Sequence, residues 1–293
     1  MRLVCKFFSM EYLSLNTCMN NKLHFFGCSV TAGNELWEEK HIPNYKKLTF
    51  AEARKAMQNL PHDEVRVYNK ENSFPALVAK EIGCELENHG IPGISNKEIA
   101  GRAIAQFPDD HYDGVTVFLQ LTTHNRMFLR YKETETDSTV GSFVVMAKAN
   151  DERLSNSQNN LLKEMFFEFY NEAIISQDDH IYMYYAADVL RSKGIQAHIL
   201  WCTVDVVDWA NWDTEKGCQQ TDRPVPILND KDPQYVTGLS RHIAGNHHKY
   251  NPIGKPLSEL DGIGASSHLP RFHYTQEAHQ IVARSIAEKL KNV

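Results

Sequence analysis

The stretch Lys22 to Gly33, KLHFFGCSVTAG, decides the fold, because a short apolar run in it ends at Gly27 and a serine follows between Gly27 and Gly33. An apolar run as short as Leu23–Phe26, bounded by Gly27, predicts a buried β-strand. Ser29 then lies in the turn that leads from this strand into the next helix. We expect its side chain to be exposed there, with its own backbone N–H free to face a reacting oxygen.

Strands and helices alternate along the rest of the chain. Apolar or β-branched runs predict further strands at Cys84–Asn88, Val115–Leu121 and Ile195–Trp201, with Val65–Tyr68 as a weak strand or loop. Amphipathic spacing predicts helices at Ser73–Ile82, from Ser95 or Asn96 through Ile104, at Leu161–Ile175, at Ile181–Leu190, and around Ala278–Leu290. This order predicts a three-layer α/β/α sandwich with a doubly wound, mostly parallel sheet.

Composition narrows the class of protein. The 293 residues are 42% hydrophobic and 23% charged, which is typical of a globular chain. The net charge of −6 argues against a nucleic-acid partner, and no apolar run reaches the roughly 18 residues of a membrane helix. The six cysteines are widely spaced, which favours free thiols in a reducing compartment. We therefore expect a cytoplasmic protein, with secretion as the second possibility.

We expect a single domain over residues 22–293, preceded by an N-terminal extension over residues 1–21. The extension resembles a weak signal peptide, but its apolar run is interrupted by polar residues, and Met19 is a possible natural start. Residues 203–260 are rich in Asp, Asn, Pro and Gly and predict a loop-rich insertion in this domain.

Polar residues follow the predicted strands, where the active sites of such sheets lie. Gly93, in NHGIPGISN (residues 88–96), allows close approach of a ligand to the backbone. Thr122 and Asn125 follow the third strand, in LQLTTHNR (residues 119–126). His273 and His279 stand six residues apart at the start of the last helix.

These blocks together resemble the SGNH (GDSL-type) hydrolase superfamily, and most closely its members encoded by phages and other viruses. FGCSVTAG resembles the first family block, NHGIPGISN the second, and HYTQEAH keeps the spacing of two histidines in the last. The resemblance implies a flavodoxin-like fold. It also implies Ser29 as the nucleophile, His273 as the general base, and the N–H groups of Ser29 and Gly93 as oxyanion-hole donors. His279, inside the helix, is expected to pack or to cap.

The chain departs from the family pattern at two of these blocks. The third block lacks the usual Gly-x-Asn-Asp, so that Thr122 or Asn125 would supply the third oxyanion donor. In the last block Pro270 stands where the family has an aspartate, three residues before His273. Either Asp261 completes the triad, or the site is a Ser–His dyad whose ring is oriented by a backbone carbonyl.

The resemblance implies a serine-dependent ester hydrolase that acts on a small-molecule or glycan ester. By analogy with viral relatives, a carbohydrate O-acetyl ester is the preferred substrate. We expect no cofactor and no metal, since the histidines of HIAGNHH (residues 242–248) have no third ligand at a diagnostic spacing. The alternative is a catalytically degenerate scaffold that binds carbohydrate or serves as a virion structural module.

Overall fold

The computed structural model describes residues 22–58, 60–122, 127–132, 140–145, 155–157, 159–161, 164, 172–201, 250–253, 257–269 and 273–291. The strands are β1 (Lys22–Gly27), β2 (Glu85–Gly90), β3 (Val115–Gln120), β4 (Met127–Lys132), β5 (Val140–Val145) and β6 (Gln196–Leu200). The helices are α1 (Leu36–His41), α2 (Phe50–Ala56), α3 (His62–Asn72), α4 (Phe74–Ile82), α5 (Asn96–Gln106), α6 (Glu172–Ser192) and α7 (Gln276–Lys291). Short 3-10 turns lie at Tyr45–Lys47, Leu257–Glu259 and Ala265–Ser267.

The central sheet has four strands in the order β2-β1-β3-β6. All three pairings are parallel, and Phe25 of β1 lies between Asn88 of β2 and Phe118 of β3. The chain order reverses between β1 and β3, and ligands of such sheets bind outside the carboxyl ends of the strands at this reversal. The turn after β1, which carries Ser29, therefore begins at the expected place for a binding site.

Helices cover both faces of the sheet, which confirms the predicted three layers. Because side chains alternate along a strand, Leu23 and Phe25 face one layer while Phe26 faces the other. The first layer contains α4 and α7, and the second contains α5 and α6. Phe25 is fully buried, and burial of such a side chain contributes about 1.5–3 kcal/mol to folding.

Several helix assignments differ from the sequence prediction, which gave no helix for α1 or α2. Val65–Tyr68 belongs to α3 and is not a strand, because its alternating pattern is too short to outweigh helical flanks. Asp63 and Glu64 stand in the first turn of α3 and Lys70 in the last, which suits the helix dipole. Instead of a helix ending at residue 175 and another beginning at 181, one continuous helix, α6, runs over Glu172–Ser192.

The structure also contains an antiparallel pair, β4 with β5, which the sequence analysis did not predict. The predicted N-terminal extension over residues 1–21 and most of the predicted insertion over 203–260 lie outside the described residues. Within the described part of the chain, no helix is both long enough and apolar enough to span a membrane.

Candidate active site

Ser29 lies in a turn that begins directly after β1, as its position in the sequence predicts. Backbone hydrogen bonds close the turn, from Ala32 N–H to Cys28 O (3.0 Å), from Gly33 N–H to Val30 O (3.1 Å) and from Asn34 N–H to Ser29 O (3.0 Å). The expectation that Ser29 is exposed is wrong, since only 4% of its surface is accessible.

The loop after β2 is fastened to this turn. Asn88 Nδ2 donates to Thr31 O (2.9 Å), and Ile91 N–H donates to Gly27 O (2.9 Å). A Cβ atom at Gly90 would lie only 2.5 Å from Ala32 N, so that only glycine allows the two segments to approach this closely. The carboxyl ends of β1 and β2 therefore form one packed edge.

Glu35 ends the turn that carries Ser29, and its carboxylate contacts His273. The distance from Glu35 Oε2 to His273 Nδ1 is 2.5 Å, and Tyr45 Oη donates to the other oxygen, Oε1. Glu35 is completely buried and has a φ of 71°, in the left-handed region that side chains other than glycine rarely adopt. Strained backbone of this kind concentrates at functional sites.

The contact with Glu35 fixes the form of the His273 ring. A carboxylate oxygen accepts hydrogen bonds, so Nδ1 is the donor to Glu35 Oε2, and Nε2 is the ring nitrogen left to take up a proton. The backbone of His273 is held as well, because Leu269 N–H donates to His273 O (2.7 Å) and Gln276 N–H donates to Glu39 Oε2 (2.7 Å). The His273 side chain is 12% exposed.

The acidic residue that contacts His273 in the structure differs from the one that the sequence suggested. Asp261, the expected partner of His273, lies in an exposed turn, and the carboxylate at Nδ1 is that of Glu35. The family pattern places the acid just before the histidine, whereas here it follows Ser29 by six residues. The sequence contains one signal for Glu35. It is an acidic residue in the turn after β1, and this turn lies at the carboxyl end of the sheet, where binding sites are expected.

The predicted oxyanion donors fall in different surroundings. Gly93 lies in an exposed turn between β2 and α5, with a φ of 80°. Thr122 is buried, and its N–H already donates to Asn96 Oδ1 (2.7 Å). Asn125, the alternative to Thr122, lies outside the described residues.

Glu35, which contacts His273, follows Ser29 by six residues in the same turn. Within the described part of the chain, no hydrogen bond joins Ser29 Oγ to the His273 ring. Catalytic hydrogen bonds are often long without substrate and shorten in the complex, so this geometry leaves the pair open as nucleophile and base.

His279 caps and packs, as its position inside the helix predicts. The residue is fully buried, and its Nδ1 accepts a hydrogen bond from Phe74 N–H (3.0 Å) at the start of α4. Burial, and secondarily the nearby His273, lowers the pKa of His279 to about 3. A ring that stays neutral in the fold but is protonated in the unfolded chain makes stability depend on pH.

We expect His279→Gln to reduce the acid sensitivity of folding. Because the pKa of His279 is lowered in the fold, the contribution of this residue to stability is complete above about pH 6.5 and is lost as the pH falls. Between pH 7 and pH 5 this group alone should cost the wild type about 2 kcal/mol of unfolding free energy. Urea unfolding at both pH values should show that the variant lacks this loss. His111→Gln, at an exposed histidine, should behave as wild type. An equal pH dependence in all three proteins would contradict the assignment.

Comparisons with known proteins give remote structural matches. No family model matches the chain, and no curated protein does. One solved structure, a proposed lipolytic protein of the G-D-S-L family from Desulfitobacterium hafniense DCB-2, has a TM-score of 0.37 and 11% identity, over 92% of this chain and 99% of that one. An alpha/beta hydrolase enzyme from the metagenome of Lake Arreo, Spain, has a TM-score of 0.35 and 11% identity, over 92% and 94%. Similarity at this level does not establish a shared activity.

Proposed function

We propose that the chain hydrolyses ester bonds, with Ser29 as nucleophile, His273 as general base and Glu35 as the carboxylate that orients the base. The observation that carries the proposal is the buried carboxylate of Glu35 at 2.5 Å from His273 Nδ1. Since Glu35 lies in the same turn as Ser29, one short segment supplies the serine and also fixes the histidine. A serine hydroxyl needs an adjacent base to become a useful nucleophile.

The reaction follows from the roles of these groups. Ser29 Oγ attacks the ester carbonyl carbon while His273 Nε2 takes the hydroxyl proton, and Glu35 stabilises the imidazolium that forms. The N–H groups of Ser29 and Gly93 are the proposed donors to the tetrahedral oxyanion, each worth about 3–4 kcal/mol. The imidazolium returns its proton to the leaving alkoxide, which departs as the alcohol. Water then hydrolyses the acyl-enzyme by the same steps.

The acyl group that we propose is small, and the preferred substrate is an O-acetylated carbohydrate. Low exposure of Ser29, at 4%, favours a compact acyl group over a long lipid chain. The glycan part of this proposal rests on the resemblance to viral SGNH-like proteins. Glu35 also weakens the main argument for a degenerate scaffold, because a carboxylate occupies the place at His273 that the missing aspartate would have filled.

Covalent labelling tests this proposal directly. A fluorophosphonate probe should react with the wild type in a 1:1 ratio, and the wild type should hydrolyse p-nitrophenyl acetate. The labelled tryptic peptide should be residues 23–40, in which Ser29 is the only serine. Ser29→Ala should lose the label, whereas Ser192→Ala, at an exposed helix end, should keep it. Absence of both labelling and hydrolysis in the folded wild type would instead favour a binding scaffold.

A further inference from the structure

Three potential metal ligands meet on one face of the central sheet, within the strands and not in the turn that carries Ser29. His24 lies on β1, and Glu87 and His89 lie on the edge strand β2. His24 pairs with Glu87 and Phe26 with His89 in the parallel register. Since residues two apart share a face of a strand, the three side chains point to the same side, which α5 covers.

The ligand atoms are separated by distances that suit one small cation. His24 Nδ1 is 3.1 Å from His89 Nε2 and 3.7 Å from Glu87 Oε2. The distance from His89 Nε2 to Glu87 Oε2 is 3.4 Å. Zinc binds histidine nitrogen and carboxylate oxygen at about 2.0–2.2 Å, so tetrahedral angles separate its ligand atoms by about 3.3–3.5 Å. One point about 2 Å from all three atoms therefore exists in this arrangement.

Neighbouring residues hold the ligands in place. The His24 ring packs edge-on against the Phe107 ring, with 5.0 Å between the ring centroids. The His89 ring stacks on the Phe26 ring, with 4.2 Å between the centroids. Lys22 Nζ pairs with Glu87 Oε1, which leaves Oε2 directed at the histidines. Metal-binding carboxylates commonly have their second oxygen held by another group in this way.

The three ligands differ in their exposure to solvent. His24 has 5% of its side chain exposed, against 25% for His89 and 36% for Glu87, so the cluster opens to solvent on the side of β2.

We propose that His24, Glu87 and His89 bind one zinc ion, with water as the fourth ligand. Two nitrogens and one carboxylate oxygen are a donor set typical of zinc, and an open fourth position is common when protein supplies three ligands. The ion would join β1 to the edge strand β2, whose outer side has no neighbouring strand in the described sheet. This site is independent of the proposed esterase, because its residues lie within the strands and not in the turn after β1.

Zinc titration of the full chain, stripped of metal by a chelator, tests the proposal. The wild type should bind about one equivalent of Zn²⁺ more than His89→Gln or Glu87→Gln. At a free zinc concentration about 100 times the Kd, the wild-type Tm should rise by about 5 °C more than that of either variant. Co²⁺ should give the absorption of a tetrahedral site in the wild type alone. His111→Gln, an exposed histidine 3.0 Å from Asp113, is the matched control and should bind as wild type.

The chain has 14 histidines and six cysteines, which can bind zinc elsewhere. The decisive quantity is therefore the difference in bound zinc between the wild type and each ligand variant, and not the total zinc bound. Equal stoichiometry and equal Tm shifts in the wild type and both ligand variants would overturn the proposal, as would a wild type that binds no zinc. Fluorophosphonate labelling of the chelated protein separates this result from the esterase, because loss of zinc should leave labelling of Ser29 unchanged. The two ligand variants should unfold cooperatively without zinc, which shows that any loss of binding is not a loss of fold.

Discussion

Replacing Glu35 with glutamine should lower kcat for ester hydrolysis about 10⁴-fold and leave KM nearly unchanged. Tyr45 Oη donates to Oε1 of residue 35, and if it keeps the amide oxygen of glutamine there, the NH2 group faces His273 Nδ1. His273 would then carry its proton on Nε2. A ring in that form has no lone pair at Nε2 to accept the proton of Ser29. The imidazolium of the transition state would also lose the negative charge that lies 2.5 Å from Nδ1.

Two further variants separate the charge of Glu35 from its packing. Tyr45→Phe removes the hydrogen bond to Oε1 and keeps the carboxylate, so it should lower kcat by about tenfold or less. Glu35→Asp keeps the charge on a shorter side chain and should recover part of the activity that Glu35→Gln loses. Steady-state kinetics, with thermal unfolding to verify the fold, makes the comparison. If Glu35→Gln and Tyr45→Phe lowered kcat equally, the carboxylate would have no special role.

Replacing Gly33 with alanine should destabilise the fold by about 3–5 kcal/mol, an unusually large effect for one methyl group. Gly33 has a φ of 73°, where any side chain is strained. An added Cβ would also lie 2.3 Å from the backbone oxygen of Asn69 in α3. Asn69 Oδ1 accepts a hydrogen bond from Trp37 N–H (2.8 Å), so a shift of Asn69 should move the segment that holds Glu35 and lower kcat.

Gly83 supplies the matched control for this prediction. It has the same φ of 73°, but a Cβ there would meet no atom within 4 Å. Gly83→Ala should therefore cost only the backbone strain, about 1–2 kcal/mol, and leave kcat unchanged. Urea unfolding of both variants measures the difference. Equal losses of unfolding free energy would show that the close approach of Asn69 has no effect on stability.

The sequence predicts the parts of this fold that depend on local patterns. Apolar runs bounded by glycine located β1, and the Ser95 hydroxyl caps α5, where it accepts from Glu98 N–H (3.3 Å). Val65–Tyr68 shows the limit of such patterns, because four alternating residues are too few to distinguish a strand from an exposed helix. The residues around this segment favour a helix, because acidic residues stand in the first turn of α3 and Lys70 stands in its last turn.

The side-chain partners in the site depend on contacts between distant residues, which patterns of one sequence do not show. Glu35 and His273 are separated by 238 positions, and His24 and His89 by 65. The family spacing predicts an acidic residue shortly before His273, and Asp261 is the nearest such residue in the sequence. The strand register of β1 and β2, which aligns His24 with Glu87, becomes visible only once the sheet is assembled.

The division of the proposed site between the two ends of the sequence has a consequence for synthesis. Translation makes the turn with Ser29 and Glu35 early, whereas His273 and α7 follow some 240 residues later. Until α7 packs against α4, a nascent chain holds the nucleophile without its base. On the proposed mechanism, the partly made chain is an inert precursor, and ester hydrolysis would begin only when α7 packs against α4.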